Sequence, residues 1–247
     1  SAALEGLPRL YQRLILPKYL ARAASDKRFQ DSARESHKIF LRWAELETKG
    51  KLARMKETQL EGEFVTQVFG EALHYALFSD GKDYWEFQQK RSIPEGTPDA
   101  VIGTFSHGGS EPPSCILELK GPKANLDRDR SRGLTPVLQL WGYLTSVPQC
   151  PWGIASNYVS FRLYHHHHAR QRFEYFSLQE LRAFPRFLEF YTLFERGGIL
   201  PSITGETPRA DELIKQTESA LKIVGGKLYD DYHRNRLELI EYLIKVK

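Results

Sequence analysis

The chain has 247 residues, 41% hydrophobic and 27% charged, with a net charge of +4; this balance excludes disordered, collagen-like and disulfide-scaffold classes. No apolar run reaches the length of a membrane span and no secretory signal is visible, so no membrane partner and a cytoplasmic location are expected. The two cysteines, Cys115 and Cys150, form no disulfide framework and suit a reducing compartment, while the mild basicity is compatible with nucleic acid without requiring it.

The length suits one sizeable core, or one domain plus a helical appendage. The chain starts at Ser1 and its single methionine is Met55, which reads as a processed chain or a piece of a longer protein. Residues 1–50 are expected to be helical. Leu10 and Leu14 mark one apolar face, widened by Ile15, and a second segment over 26–48 carries Ile39, Phe40 and Trp43 before Gly50 closes it. Its many Lys, Arg and Glu residues read first as a solvated helical face, and second as a contact to a DNA backbone.

Residues 56–78 carry the strongest helical pattern. Leu60, Phe64, Val68 and Ala72 lie on one stripe, with Val65, Phe69 and Leu73 beside it. Glu57 and Glu61 fall four apart. Acids in the first turns of a helix are explained by the macrodipole alone, so the plain reading of each is a surface acid.

Residues 84–90 (YWEFQQK) read as a strand leading to two short runs, residues 97–103 (TPDAVIG) and 114–120 (SCILELK). The intervening 104–113 is rich in Gly, Ser and Pro and reads as a hairpin loop. Strand alternation puts Cys115, Leu117 and Leu119 on one face and Ile116, Glu118 and Lys120 on the other. Charges on a strand drawn into a core are costly unless paired or bound to metal. Pairing the two runs brings Asp99, Glu118 and Lys120 together, and two carboxylates at one point make a hard-oxygen site for Mg²⁺.

Residues 120–133 (KGPKANLDRDRSRG) place Lys120, Lys123, Arg128, Arg130 and Arg132 against only Asp127 and Asp129. Such a loop either grips a phosphate backbone or is solvated with its charges partly cancelled. Residues 134–147 read as a helix with a Leu134, Val137, Leu138 and Trp141 stripe, and Gln139 and Tyr143 are neighbours on another face. Strands follow over 152–164, broken at Asn157, and over 172–176. The four histidines 165–168 between them could take a transition metal only adventitiously. An aromatic helix over 178–195 is expected to kink or split at Pro185. After the linker-like 201–208 an amphipathic helix runs to the end, with Gly225 and Gly226 as an expected interruption and Leu237, Ile240, Leu243 and Ile244 as an apolar stripe.

No phosphate-binding P-loop, dinucleotide-binding glycine turn, nucleophile elbow or CxxC pair is present, which argues against an ATPase, a Rossmann enzyme, an α/β hydrolase and a zinc ribbon. Pro98-Asp99, an interval of 18 residues (100–117), then Glu118-Leu119-Lys120 resembles the PD-(D/E)xK motif of restriction-like nucleases. Gln139-Leu140-Trp141-Gly142-Tyr143 on the next helix resembles the QxxxY motif of the branch that includes RecB-type nucleases. The text WGIASNYVSFRLYHHHH, then FEYFSLQEL, and the tail YDDYHRNRLELIEYL are similar to the nuclease region and connector of single-chain type IIG restriction–modification enzymes. The likeness spans about residues 55–245.

This resemblance implies an α/β (α+β) fold: a restriction-endonuclease-like mixed central sheet flanked by helices, with helical N-terminal and C-terminal extensions. It divides the chain into a helical extension (1–55), a nuclease core (56–197) and a connector toward an absent methyltransferase domain (198–247). It implies Mg²⁺-dependent DNA cleavage, with Mn²⁺ able to substitute. Asp99 and Glu118 are then the metal carboxylates, with the Leu119 carbonyl as a further ligand, and Lys120 orients the attacking water. Gln139 and Tyr143 support the site and the DNA. The family's helix glutamate falls on Glu61 first and Glu57 second, with Glu63 left open. The implied partners are double-stranded DNA, the protein's own methyltransferase and target-recognition domains, and a second copy meeting transiently on DNA; S-adenosylmethionine belongs only to the methyltransferase part. Two other readings stand beside this one: another restriction-like repair or defence nuclease, and a catalytically silent DNA-binding scaffold.

Overall fold

Six strands form one mixed sheet, and its register fixes where Asp99 and Glu118 can go. The computed structural model describes residues 11–109, 111–202 and 204–245, with the side chains at 29, 57 and 238–245 outside that description. The strands are β1 (Tyr84–Gln89), β2 (Ala100–Ser106), β3 (Cys115–Leu119), β4 (Trp152–Ser156), β5 (Ser160–His165) and β6 (Phe173–Ser177), lying side by side in chain order. All neighbours are antiparallel except β3 and β4, which are parallel. A parallel pair needs a crossover, and α4 (Pro136–Ser146) provides it. Thr135 starts that helix by accepting the Leu138 amide, with Pro136 in the first turn where a missing N–H costs nothing.

Helices cover both faces of the sheet. On one face lie α1 (Pro17–Ala24), α2 (Gln30–Thr48), α3 (Glu57–Phe64), α5 (Phe184–Phe194), the short α6 (Arg196–Ile199) and the start of α7 (Arg209–Lys245). Phe40, Trp43, Phe64, Phe161, Phe187 and Phe190 are buried there against Cys115, Leu117 and Ile154. Each such side chain contributes roughly 2–3 kcal/mol by leaving water. On the other face α4 packs Leu140 and Leu144 against Val101, Ile116 and Ala155. It approaches closely because position 153 has no side chain; a Cβ there would lie 2.8 Å from Leu144 Cδ1. The expected mixed sheet flanked by helices is therefore present, and β3, covered on both sides, is buried along its whole length.

Several local expectations are corrected. Residues 11–16 are irregular rather than helical, with a bend at Leu14 and Ile15: Gln12 bridges to Arg172 and the Ile15 amide donates to the Glu174 carboxylate at 2.8 Å. Both Leu14 and Ile15 are buried in that form, and Leu10 lies outside the described residues. The 56–78 pattern is α-helical only to Phe64. It continues as a π-helix over Val65–Ala72 and ends before His74, whose φ is +65°. The wider turn keeps Val68 and Phe69, and Ala72 and Leu73, all in the core. The 178–195 segment does split at Pro185 as expected: a short 3-10 turn over Glu180–Arg182 ends at extended Ala183, and Pro185 sits in the first turn of α5.

Gly225 and Gly226 do not interrupt α7, which is continuous; the glycines cost about 1 kcal/mol each in an exposed helix interior, and the remaining turns carry the helix through. Ala210, Leu213 and Ile214 seat its start in the core, whereas Leu228, Tyr229 and Tyr232 are 67, 69 and 66% exposed. Leu237 is also exposed, and the side chains of Ile240, Leu243 and Ile244 lie outside the described residues. Among the described residues no helix is long and apolar enough to cross a membrane.

Candidate active site

The β2–β3 register pairs Ala100 with Leu117, so Asp99, one residue before β2, faces Glu118. The Leu119 amide donates to Asp99 Oδ2 at 2.7 Å and fixes that carboxylate beside the second run. Lys120 Nζ lies 2.6 Å from Glu118 Oε1 and 3.9 Å from Asp99 Oδ2. The three residues expected to meet are thus at one place, where the ends of β2 and β3 adjoin.

Glu118 is 1% exposed. Despite the ion pair with Lys120, neither of its oxygens accepts a well-aligned hydrogen bond among the described residues. Burial, reinforced by the nearby Asp99 charge and opposed by Lys120, pushes its carboxyl up to about 7. A carboxylate this deeply buried beside a second carboxylate is expensive even with an ammonium against one of its oxygens. The two remedies are a proton and a cation, and the oxygen-only donor set suits a hard divalent ion such as Mg²⁺. Among the described residues no three Asp, Glu, His or Cys side chains form a metal-holding group. An ion here would therefore draw on Asp99, Glu118 and a main-chain carbonyl such as that of Leu119.

On the other side of Lys120, Gln139 Nε2 donates to the Tyr143 hydroxyl at 2.8 Å. These residues line a cleft of about 330 Å³ together with Glu95, Arg132 and Lys120. The cleft wall is a tight turn closed by the Ile93–Gly96 bridge. Gly96 holds φ +146° there, a conformation open to glycine, and a Cβ added to it would lie 3.5 Å from Tyr143 Cε1.

The helix acids separate clearly. Glu61 Oε1 accepts from Gln89 Nε2 at 3.1 Å and lies 3.9 Å from Lys90 Nζ. Lys90 in turn holds Asp99 Oδ1 at 2.6 Å. Glu61 thus joins the cluster through Lys90. Glu63 instead accepts from Gln59 on the same helix, and the side chain of Glu57 lies outside the described residues. Lys90 was not expected. Its signal was available in the β1–β2 register, which pairs Gln89 with Ala100 and so sets Lys90 opposite Asp99.

The basic loop is pinned from beneath. Asp127 makes a two-pronged pair with buried Arg162 at 2.9 and 2.8 Å, and Asp129 accepts the Asn125 amide at 2.8 Å. Leu126 anchors the loop in the α4 core, and the Ala124 carbonyl accepts from Asn157. Both acids are engaged within the protein, so Lys123, Arg128, Arg130 and Arg132 stay exposed, and among the described residues none of the four has an ion-pair partner. Among the described residues the histidines join no group of three metal ligands: His165 packs edge-on against Trp152 and His168 contacts Glu218 at 3.1 Å.

No family model matches the chain, and no curated protein or solved structure does.

Proposed function

We propose that this chain is a Mg²⁺-dependent DNA endonuclease, the cleavage region of a single-chain type IIG restriction–modification enzyme with the restriction-like nuclease fold. The observation that carries the reading is the meeting of Asp99, buried Glu118 and Lys120 at the ends of paired strands, with Gln139 and Tyr143 across the same cleft. In this proposal 56–197 is the nuclease core, 1–55 its helical extension and 198–247 the connector to the methyltransferase.

Asp99, Glu118 and the Leu119 carbonyl would hold the ion. When bound, Mg²⁺ lowers the pKa of its water and screens the phosphate. Lys120 orients the nucleophile and presents positive charge where negative charge builds on the phosphorus oxygens, the place where preorganised electrostatics contribute most. Gln139 and Tyr143 fix the wall against which the strand lies. Lys123, Arg128, Arg130 and Arg132 supply sequence-independent grip on phosphates. A silent scaffold has no chemical need for a buried carboxylate kept beside an ammonium.

The test is plasmid nicking with Mg²⁺ and an EDTA control, comparing the wild type with Lys120→Ala. Cleavage is expected only with metal and only in the wild type. A Lys120→Ala protein that kept full metal-dependent nicking would overturn the assignment. A longer natural sequence with methyltransferase and target-recognition domains beyond Lys247 would distinguish type IIG from a repair or defence nuclease.

A further inference from the structure

Three carboxylates and two ammonium groups meet at the strand ends, and one of the ammonium groups belongs to no motif. Lys90 follows β1 with φ +51°, a left-handed conformation that costs a side-chain-bearing residue about 1–2 kcal/mol. Such conformations persist where the surroundings fix them, often at working sites. Here the Lys90 amide donates to the Asp99 carbonyl at 3.0 Å, so the same two residues are tied by both backbone and side chain. Lys90 Nζ lies between two acids, 2.6 Å from Asp99 Oδ1 and 3.9 Å from Glu61 Oε1. Asp99 Oδ2 is taken by the Leu119 amide. Both oxygens of Asp99 are therefore occupied, one of them by a cation. Glu61 is kept aimed at the site by Gln89 and is within a short side-chain movement of the same ammonium.

We infer that Lys90 is a resident counter-ion for Asp99, a placeholder that yields Asp99 Oδ1 to an arriving divalent cation and is received by Glu61. The inference rests on the metal-site reading and extends it. It assigns Lys90 the setting of cation affinity, and it makes Glu61 a positioning residue for Lys90 rather than a metal ligand. A divalent ion at Asp99 must compete with a short ion pair, and it competes more easily when the displaced ammonium has an acid to go to.

The experiment is Mn²⁺ titration of metal-stripped protein, with free Mn²⁺ read by electron paramagnetic resonance. The proteins are the wild type, Lys90→Met and Glu61→Gln, each shown to be folded by its melt in EDTA. Removing the competitor is expected to tighten Mn²⁺ binding by about tenfold, whereas removing the receiving acid weakens it by a similar factor, each equivalent to ~1.4 kcal/mol. Unchanged or weaker binding by folded Lys90→Met overturns the placeholder role while leaving the metal site standing. If Lys90→Met does not fold, Glu61→Gln decides: binding equal to or tighter than the wild type refutes the role. A wild type that binds no Mn²⁺ removes both the metal site and this inference.

Discussion

Replacing Glu118 with Gln separates what the site does from what it costs. The Glu118 carboxyl is raised from 4.5 to about 7, first by burial and then by Asp99. A group whose folded pKa lies above its unfolded one binds more protons when folded, so stability falls as pH rises through the interval between them. At ~1.4 kcal/mol for each tenfold in proton affinity, the deficit above about pH 7 is about 3 kcal/mol. Gln keeps the shape and cannot ionise, and the shift to about 7 already contains the opposing pull of Lys120. The net gain is therefore about 3 kcal/mol, which in a chain of this size corresponds to a melting temperature ~6–12 °C higher. The measurement is thermal unfolding in EDTA at about pH 8 and about pH 5. Glu118→Gln should melt higher at the first and show a much smaller difference at the second, while nicking activity is lost. A variant no more stable than the wild type at about pH 8, or one whose advantage does not change with pH, would refute the reasoning.

Asp127→Ala leaves Arg162 buried without its carboxylate, which costs about 3 kcal/mol; denaturant unfolding should show that loss, and trypsin should cut the released loop at Arg128 or Arg130 faster than in the wild type. His165 is pushed down from 6.5 to about 4 by burial and then by the neighbouring histidines. Its folded state therefore binds fewer protons, and stability that is full above pH 6.5 is lost as pH falls toward about 4. After allowance for partial exposure the loss is on the order of 2 kcal/mol, and a pH series of unfolding curves should find it absent in His165→Asn.

The strands were legible because each is short, apolar and bounded by turn residues, and strand alternation placed Glu118 and Lys120 on the face opposite Leu117. The helix carrying Gln139 and Tyr143 was legible from its apolar run, although the face it buries is Val137, Leu140 and Leu144 and the expected stripe member Leu134 is exposed. The π-helix was not, because Val65, Val68, Phe69 and Ala72 satisfy an α-helical stripe equally well. The non-helical 11–16 segment was missed because its partners, Arg172 and Glu174, lie about 160 residues away. Lys90 escaped for a related reason. Its meaning comes from facing Asp99 across β1 and β2, which a local pattern around residue 90 does not contain.

The hairpin between β2 and β3 separates two kinds of distance. What holds Asp99 against Glu118 is the pairing of Val101 with Ile116 and its neighbours, while Gly108 and Gly109 at the tip of the connection are exposed and lie outside the ladder. Extra residues at that tip would leave the ladder in place, since surface loops lengthen at a cost that grows only slowly. A single residue added inside β3 would instead turn Glu118 away to the opposite face. The interval from Asp99 to Glu118 is therefore an elastic coordinate and Glu118-Leu119-Lys120 a rigid one. A peptide tag or a whole reporter domain spliced into the tip should ride on the molecule without disturbing the cluster, whereas a one-codon slip in β3 would erase it.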